Sequence, residues 1–185
     1  MRSLRSELEK LKEDFDIASN QIVKSLKELI SKIEFPLDPD YDPSYGFIDS
    51  VLRKLKIIEK TSEGTTIERT YYNVTEAYRW AIVDGKIMIR VHGDIFYSTI
   101  RGFLPFEKFI EYLRKGNEYR DLELKIPGVV YEKLYPVSRA TFYRIISKAS
   151  ESLPIYLRYA IEYCKSKRAE LDEKLKKLEA MLKSI

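Results

Sequence analysis

The residues that could carry chemistry are few and widely spaced. The chain of 185 residues holds one histidine, His92, and one cysteine, Cys164, which excludes a zinc cluster built from His and Cys ligands and an intrachain disulfide. His92 ends the alternating stretch Lys86-Ile87-Met88-Ile89-Arg90-Val91-His92, where an imidazole is more often a packed or surface group than a general base. Acidic side chains gather only around Phe35-Pro36-Leu37-Asp38-Pro39-Asp40-Tyr41-Asp42-Pro43. There Asp38, Asp40, Asp42 and Asp49 fall at positions 1, 3, 5 and 12 of a calcium-loop template. Pro43 stands where that loop needs glycine, and Asp49 where it needs a bidentate glutamate. The segment therefore reads as a linker in which Asp42 or Ser44 caps the next element. Seven scattered glycines form no phosphate-cradling loop. Fourteen tyrosines have no accompanying cluster of arginines and histidine to activate one as a nucleophile. These residues predict a binding protein without a cofactor or a metal, not an enzyme.

Composition narrows the class. Apolar residues make up 44% and charged residues 34%, as in globular proteins with a densely charged surface. No apolar run approaches the roughly 18 residues of a membrane span, and the charged N-terminal sequence is unlike a signal peptide. A cytoplasmic protein with no membrane partner is expected. A single glutamine, three asparagines and abundant Lys, Glu, Ile and Tyr point to a thermophilic source. The net charge of +4 is uneven: residues 35–50 carry −4, residues 51–80 +2, residues 81–150 +4 and residues 151–185 +2, while residues 1–34 balance. This placement is compatible with a nucleic-acid partner.

Two terminal helices are expected to frame the body. Leu4, Leu8, Leu11, Phe15, Ala18 and Ile22 alternate steps of four and three, a coiled-coil seam, and an extra four-residue step after Ile22 interrupts it. This N-terminal amphipathic helix occupies residues 1–34, followed by the acidic proline-rich linker 35–43. At the other end, Ile161, Cys164, Arg168, Leu171, Leu175, Leu178, Leu182 and Ile185 keep a strict heptad, broken only by Arg168, in a coiled-coil-like helix over residues 151–185. A lone charge in such a seam fixes register or partner. The two stripes can pair within one chain or join two chains in a homodimer.

Between them lies an α+β body, residues 44–150. From Ser44 a helical pattern puts Phe47, Ile48, Val51, Leu52, Leu55 and Ile58 on one side. A turn at 61–65 leads into the β-prone Thr66-Ile67-Glu68-Arg69-Thr70-Tyr71-Tyr72-Asn73-Val74. The alternation of residues 86–92 predicts a strand after the Asp84-Gly85 turn, and Phe106, Phe109, Ile110 and Leu113 predict an amphipathic helix.

Residues 51–60, Val-Leu-Arg-Lys-Leu-Lys-Ile-Ile-Glu-Lys, followed by Arg69-Thr70-Tyr71-Tyr72-Asn73-Val74-Thr75-Glu76, resemble the recognition helix and wing of winged-helix DNA-binding proteins. The resemblance implies a mainly helical α+β fold with a winged-helix-like unit at 44–77. It makes Ser50, Arg53, Lys54, Lys60 and Arg69 candidate contacts to double-stranded DNA. Val137-Ser138-Arg139-Ala140-Thr141-Phe142-Tyr143-Arg144 is similar to the start of a helix-turn-helix recognition helix, within a unit at 129–147. There Ser138 would cap the helix while Arg139, Thr141 and Arg144 reach bases or phosphates. Alternatively, Ser138 caps a core helix whose Phe142, Ile145 and Ile146 pack inward. What the resemblances imply is a dimeric transcription regulator of a thermophilic archaeon or of its virus or plasmid. A protein-interaction or structural subunit, and an RNA-binding component that uses tyrosines for stacking, remain alternatives.

Overall fold

The computed structural model describes residues 2–35, 45–61, 63, 67–95, 98–116, 122–123, 126 and 128–183, and for residues 2, 3, 67–69, 98, 130 and 131 only the backbone. The proline-rich part of the linker, residues 36–44, with Asp38, Asp40 and Asp42, lies outside the described residues. The elements are α1 (Arg2–Ile30), β1 (Tyr45–Lys60), β2 (Ile67–Val83), β3 (Lys86–Ile95), β4 (Ser98–Pro105), α2 (Phe106–Lys115), β5 (Val129–Leu134) and α3 (Arg139–Lys183).

The α+β class holds, but the mainly helical, winged-helix-like body does not. The five strands form one antiparallel sheet in the order β4-β3-β2-β1-β5, and the segment expected as a recognition helix is its strand β1. Val51, Arg53, Leu55 and Ile57 alternate inward, while Leu52 and Lys54 face out. Two residues disguised that alternation: a charged Arg53 on the buried side and an apolar Leu52 that is 64% exposed. With those two exchanged, period two would have been plain. The first part of the helix-turn-helix-like unit expected at 129–147 is likewise a strand, β5, which pairs with β1 from Leu55 to Glu59.

The expected turn at Asp84-Gly85 joins β2 to β3 with positive φ at both residues, 50° and 73°, as a tight hairpin requires. Phe35 donates its N–H to the Gly85 carbonyl at 2.8 Å, stitching the end of the α1 segment onto this turn. A Cβ on Gly85 would sit 2.7 Å from the Phe35 carbonyl oxygen, so glycine is required on two counts.

The inner face of the sheet carries the core. Trp80 and Phe106 stack at 6.2 Å, and Tyr78 meets Phe109 edge-on at 4.9 Å; such pairs add to the burial free energy of the rings. The Trp80 indole donates to Ser152 Oγ at 2.8 Å, which ties the sheet to α3. Helix α3 buries Phe142, Ile145, Ile146, Ala149, Leu153 and Tyr156, so the inward packing weighed for this segment is what the structure shows. Its exposed Pro154 lies within the continuous helix.

Helices α1 and α3 lie side by side and run in the same direction. Midway along α1 and at the start of α3, Phe15 packs on Tyr143 at 5.3 Å and Asp16 pairs with Arg139 at 3.2 Å. Further along, Ile33 and Phe35 share a groove with Ile161, Cys164 and Arg168. Both helices outrun this contact, α1 at its N-terminal end and α3 at its C-terminal end. The leucines there stand exposed.

Candidate nucleic-acid interface

Among the described residues no helix covers the outer face of the sheet, and its residues alternate with the buried ones along each strand. From β1 it presents Lys54 and Lys56, from β2 Tyr71 and Arg79, from β3 Arg90, His92 and Asp94, from β4 Arg101 and Phe103, and from β5 Lys133. In an antiparallel pair, residues directly opposite share a face. The register therefore makes three basic pairs: Arg79 opposite Arg90, His92 opposite Arg101, and Lys56 opposite Lys133. Aromatic rings flank two of these pairs. Phe103 stands opposite Arg90, and Tyr71 stands opposite Lys56 with the ammonium 6.0 Å from its ring centroid. Both rings are solvent-exposed, Tyr71 at 61% and Phe103 at 41%.

Like charges directly opposite each other on neighbouring strands destabilise a sheet. Arg101 is compensated by Glu123, 3.2 Å away. Lys54, Arg79, Arg90 and Lys133 have no carboxylate partner among the described residues. The face is thus a positive surface with two basic and aromatic rows. Arg79 lies eight residues along β2 from Tyr71, a span of about 27 Å at strand rise.

Directly beneath lies a buried polar cluster. Arg53 is 1% exposed and Glu76 0%. Their nearest charged atoms, Nη1 and Oε2, are 3.8 Å apart. The hydroxyls of Tyr78 and Tyr112 both donate to the Glu76 carboxylate, the former at 2.6 Å. Arg53 Nη2 donates to the Tyr112 carbonyl at 3.3 Å, and its guanidinium lies 4.4 Å from the Tyr112 ring centroid. Burial, then the Glu76 charge, pushes the pKa values of both tyrosines well above the usual value. Burial lowers the Arg53 pKa, but facing Tyr112 and Glu76 raise it more, so the guanidinium stays charged. Gly93 stands opposite Glu76, and a Cβ there would come 2.9 Å from Glu76 Cγ. The sheet makes room for the carboxylate by omitting a side chain.

The residues expected to touch DNA do not converge. Arg53 is in the core, bound to Glu76 and Tyr112, and cannot reach a phosphate. Lys54 faces out from β1, Lys60 ends that strand, and Arg69 is a β2 residue opposite Ile58; the Arg69 side chain lies outside the described residues. Ser50 is exposed on β1 and offers its carbonyl to Arg144 Nη2 at 3.4 Å. At the start of α3, Ser138 Oγ accepts the Thr141 N–H at 3.2 Å, as a cap should. Arg139 there is paired with Asp16. Of the terminal seam, Ile161 and Cys164 lie beside Ile33 and Phe35, whereas Leu171, Leu175, Leu178 and Leu182 are each more than half exposed.

Sequence reasoning missed Arg79, Arg90, Arg101, Lys56, Lys133, Tyr71 and Phe103 as one surface. Only strand register brings them together. The alternation around Arg90 was the available signal. Comparison of the chain with family models, with curated proteins and with solved structures finds no match.

Proposed function

We propose that this protein is a non-enzymatic binder of single-stranded nucleic acid, and that the outer face of its sheet is the binding platform. The observation that carries the reading is the set of three basic pairs in direct cross-strand register, two of them edged by an exposed aromatic ring. Phosphates relieve the repulsion in the Arg79–Arg90 and Lys56–Lys133 pairs, and unstacked bases lie on Tyr71 and Phe103. A continuous sheet face offers no helix or narrow ribbon to enter a duplex groove, whereas a single strand with splayed bases can follow the rows.

The test is fluorescence anisotropy with a labelled single-stranded oligonucleotide, as RNA and as DNA, against a duplex control. If about four or five phosphates are neutralised, log affinity falls with log salt at a slope of about −3 to −3.5, a loss of roughly 60- to 130-fold between 50 and 200 mM. Arg90→Glu separates binding from stability. It turns the Arg79 pair into one of opposite charge, which stabilises the sheet by about 0.2–1 kcal/mol, yet it weakens binding at least about tenfold. A variant that binds as well as the parent, a preference for duplex, or no retention of either single strand at 50 mM salt would each sink the proposal.

A further inference from the structure

We infer that the two exposed helix ends form one antiparallel interface, each α1 end lying on the α3 end of a second copy in a closed twofold dimer. This rests on the terminal helices and not on the sheet surface. Leu4, Leu8 and Leu11 are 54–67% exposed, and Leu171, Leu175, Leu178 and Leu182 are 55–74% exposed. Within one chain these stripes cannot meet, because α1 and α3 run in the same direction and outrun their contact at opposite ends. A second copy turned end over end places its α1 beside the first copy's α3, and by symmetry the reverse.

The charges beside the seams select this arrangement. Along α1 the flanking positions hold Glu7 and Asp14 on one side and Arg5 and Lys12 on the other. Along α3 they hold Lys167 and Lys174 on one side and Asp172 and Glu179 on the other. Antiparallel helices bring like-named flanks together, so acid meets base on both sides; parallel pairing of α1 with α3 would bring acid to acid and base to base. The best register sets Leu4 on Leu182, Leu8 on Leu178 and Leu11 on Leu175 of the second copy, with Leu171 reaching the edge of Phe15, which also packs on Tyr143 of its own chain. Asp14 then lies by Lys174, Lys12 by Asp172 and Arg5 by Glu179. Arg168, the one break in the α3 heptad, lies short of the paired leucines, in the groove it shares with Ile33 and Phe35 of its own chain.

A parallel pair of α3 helices is the competing arrangement, and its flanks also match, Lys167 with Asp172 and Lys174 with Glu179. It sets Arg168 against Arg168 in the seam and leaves the α1 leucines uncovered. Those seven leucines expose on the order of 700 Å² per copy, close to the roughly 800 Å² that each partner buries in an interface of standard size.

Disulfide trapping in a Cys164→Ser background distinguishes these outcomes. Leu8→Cys/Leu178→Cys is expected to run as a covalent dimer after mild oxidation, while each single variant stays monomeric on the same gel. Sedimentation of the unmodified chain should give twice the chain mass. Charge reversal at Arg5→Glu/Lys12→Glu should shift it to monomer, and adding Asp172→Lys/Glu179→Lys in the same chain should restore the dimer. Cross-linking of Leu178→Cys alone overturns the proposal in favour of parallel α3 helices. A monomeric mass at 50 µM, or a double variant that does not cross-link, overturns it outright.

Discussion

Replacing Glu76 by leucine tests whether the buried cluster is held by charge compensation. Glu76 is wholly buried; its carboxylate receives the Tyr78 and Tyr112 hydroxyls and faces Arg53. Without it, the guanidinium remains 1% exposed with one acceptor, the Tyr112 carbonyl at 3.3 Å. An uncompensated buried charge costs about 3–5 kcal/mol, and each buried hydroxyl that loses its acceptor adds about 1–3 kcal/mol. The terms overlap, so a loss of at least about 4 kcal/mol is expected, a large part of the 5–15 kcal/mol typical of a domain. Removing the charge as well, in Arg53→Met/Glu76→Leu, should return about 2–3 kcal/mol of that loss, since neighbours in one network couple by about that much. Urea unfolding followed by fluorescence measures this cleanly, because Trp80 is the sole tryptophan and its indole is bound to Ser152 in the core. A Glu76→Leu chain within about 1 kcal/mol of the parent would refute the reasoning. So would a double variant whose loss is the sum of the two single losses.

Two further outcomes follow from the same cluster. Gly93→Ala should destabilise by about 1–3 kcal/mol, since its methyl would lie 2.9 Å from Glu76 Cγ and 3.3 Å from Val74 Cγ1; a melting temperature equal to the parent's contradicts this. Alkaline stability should also fall early. The folded state holds the Tyr78 and Tyr112 protons above the ordinary value of 10.0, so their contribution is complete below pH 10 and is lost as pH rises towards the folded-state pKa values. With the unfolded chain releasing two protons that the folded chain keeps, the slope reaches about −2.7 kcal/mol per pH unit. Urea midpoints between pH 8 and 11 measure it, and an unchanged slope in Tyr78→Phe/Tyr112→Phe would show that the cluster is not its source.

Where local pattern decided structure, the sequence was readable. The strand at residues 86–92, its preceding turn, the helix at 106–113 and the long terminal helices all announce themselves through period two, a turn signal or period 3.6, and all are present. The body failed at β1 for a local physical reason. A short run that mixes Val, Leu, Ile, Lys and Arg fits both periods, and the choice turns on which polar residue is tolerated inside. That tolerance is set by Glu76, Tyr78 and Tyr112, which lie 23, 25 and 59 residues from Arg53, beyond any window of local pattern. The basic surface was hidden for the same reason, because His92 and Arg101 or Lys56 and Lys133 become neighbours only through register.

The misread residue and the candidate function are therefore connected. A one-residue slip of β1 would turn Lys54 and Lys56 into the core and bring Leu55 and Ile57 to the outer face. Burying those two lysines is itself costly, and Leu52 and Ile58, already on the outer side, would return only part of what Leu55 and Ile57 lose. Arg53 adds to that cost. Turned outward, it would leave Glu76 buried without its charge partner, a penalty of several kcal/mol that no gain from Leu52 offsets at about 1.5–3 kcal/mol per buried aliphatic side chain. A buried ion pair adds little net stability against well-packed apolar residues of the same volume. Its value here is selective: it penalises the wrong register and so keeps Lys56 opposite Lys133 and Tyr71, the arrangement on which the outer surface depends.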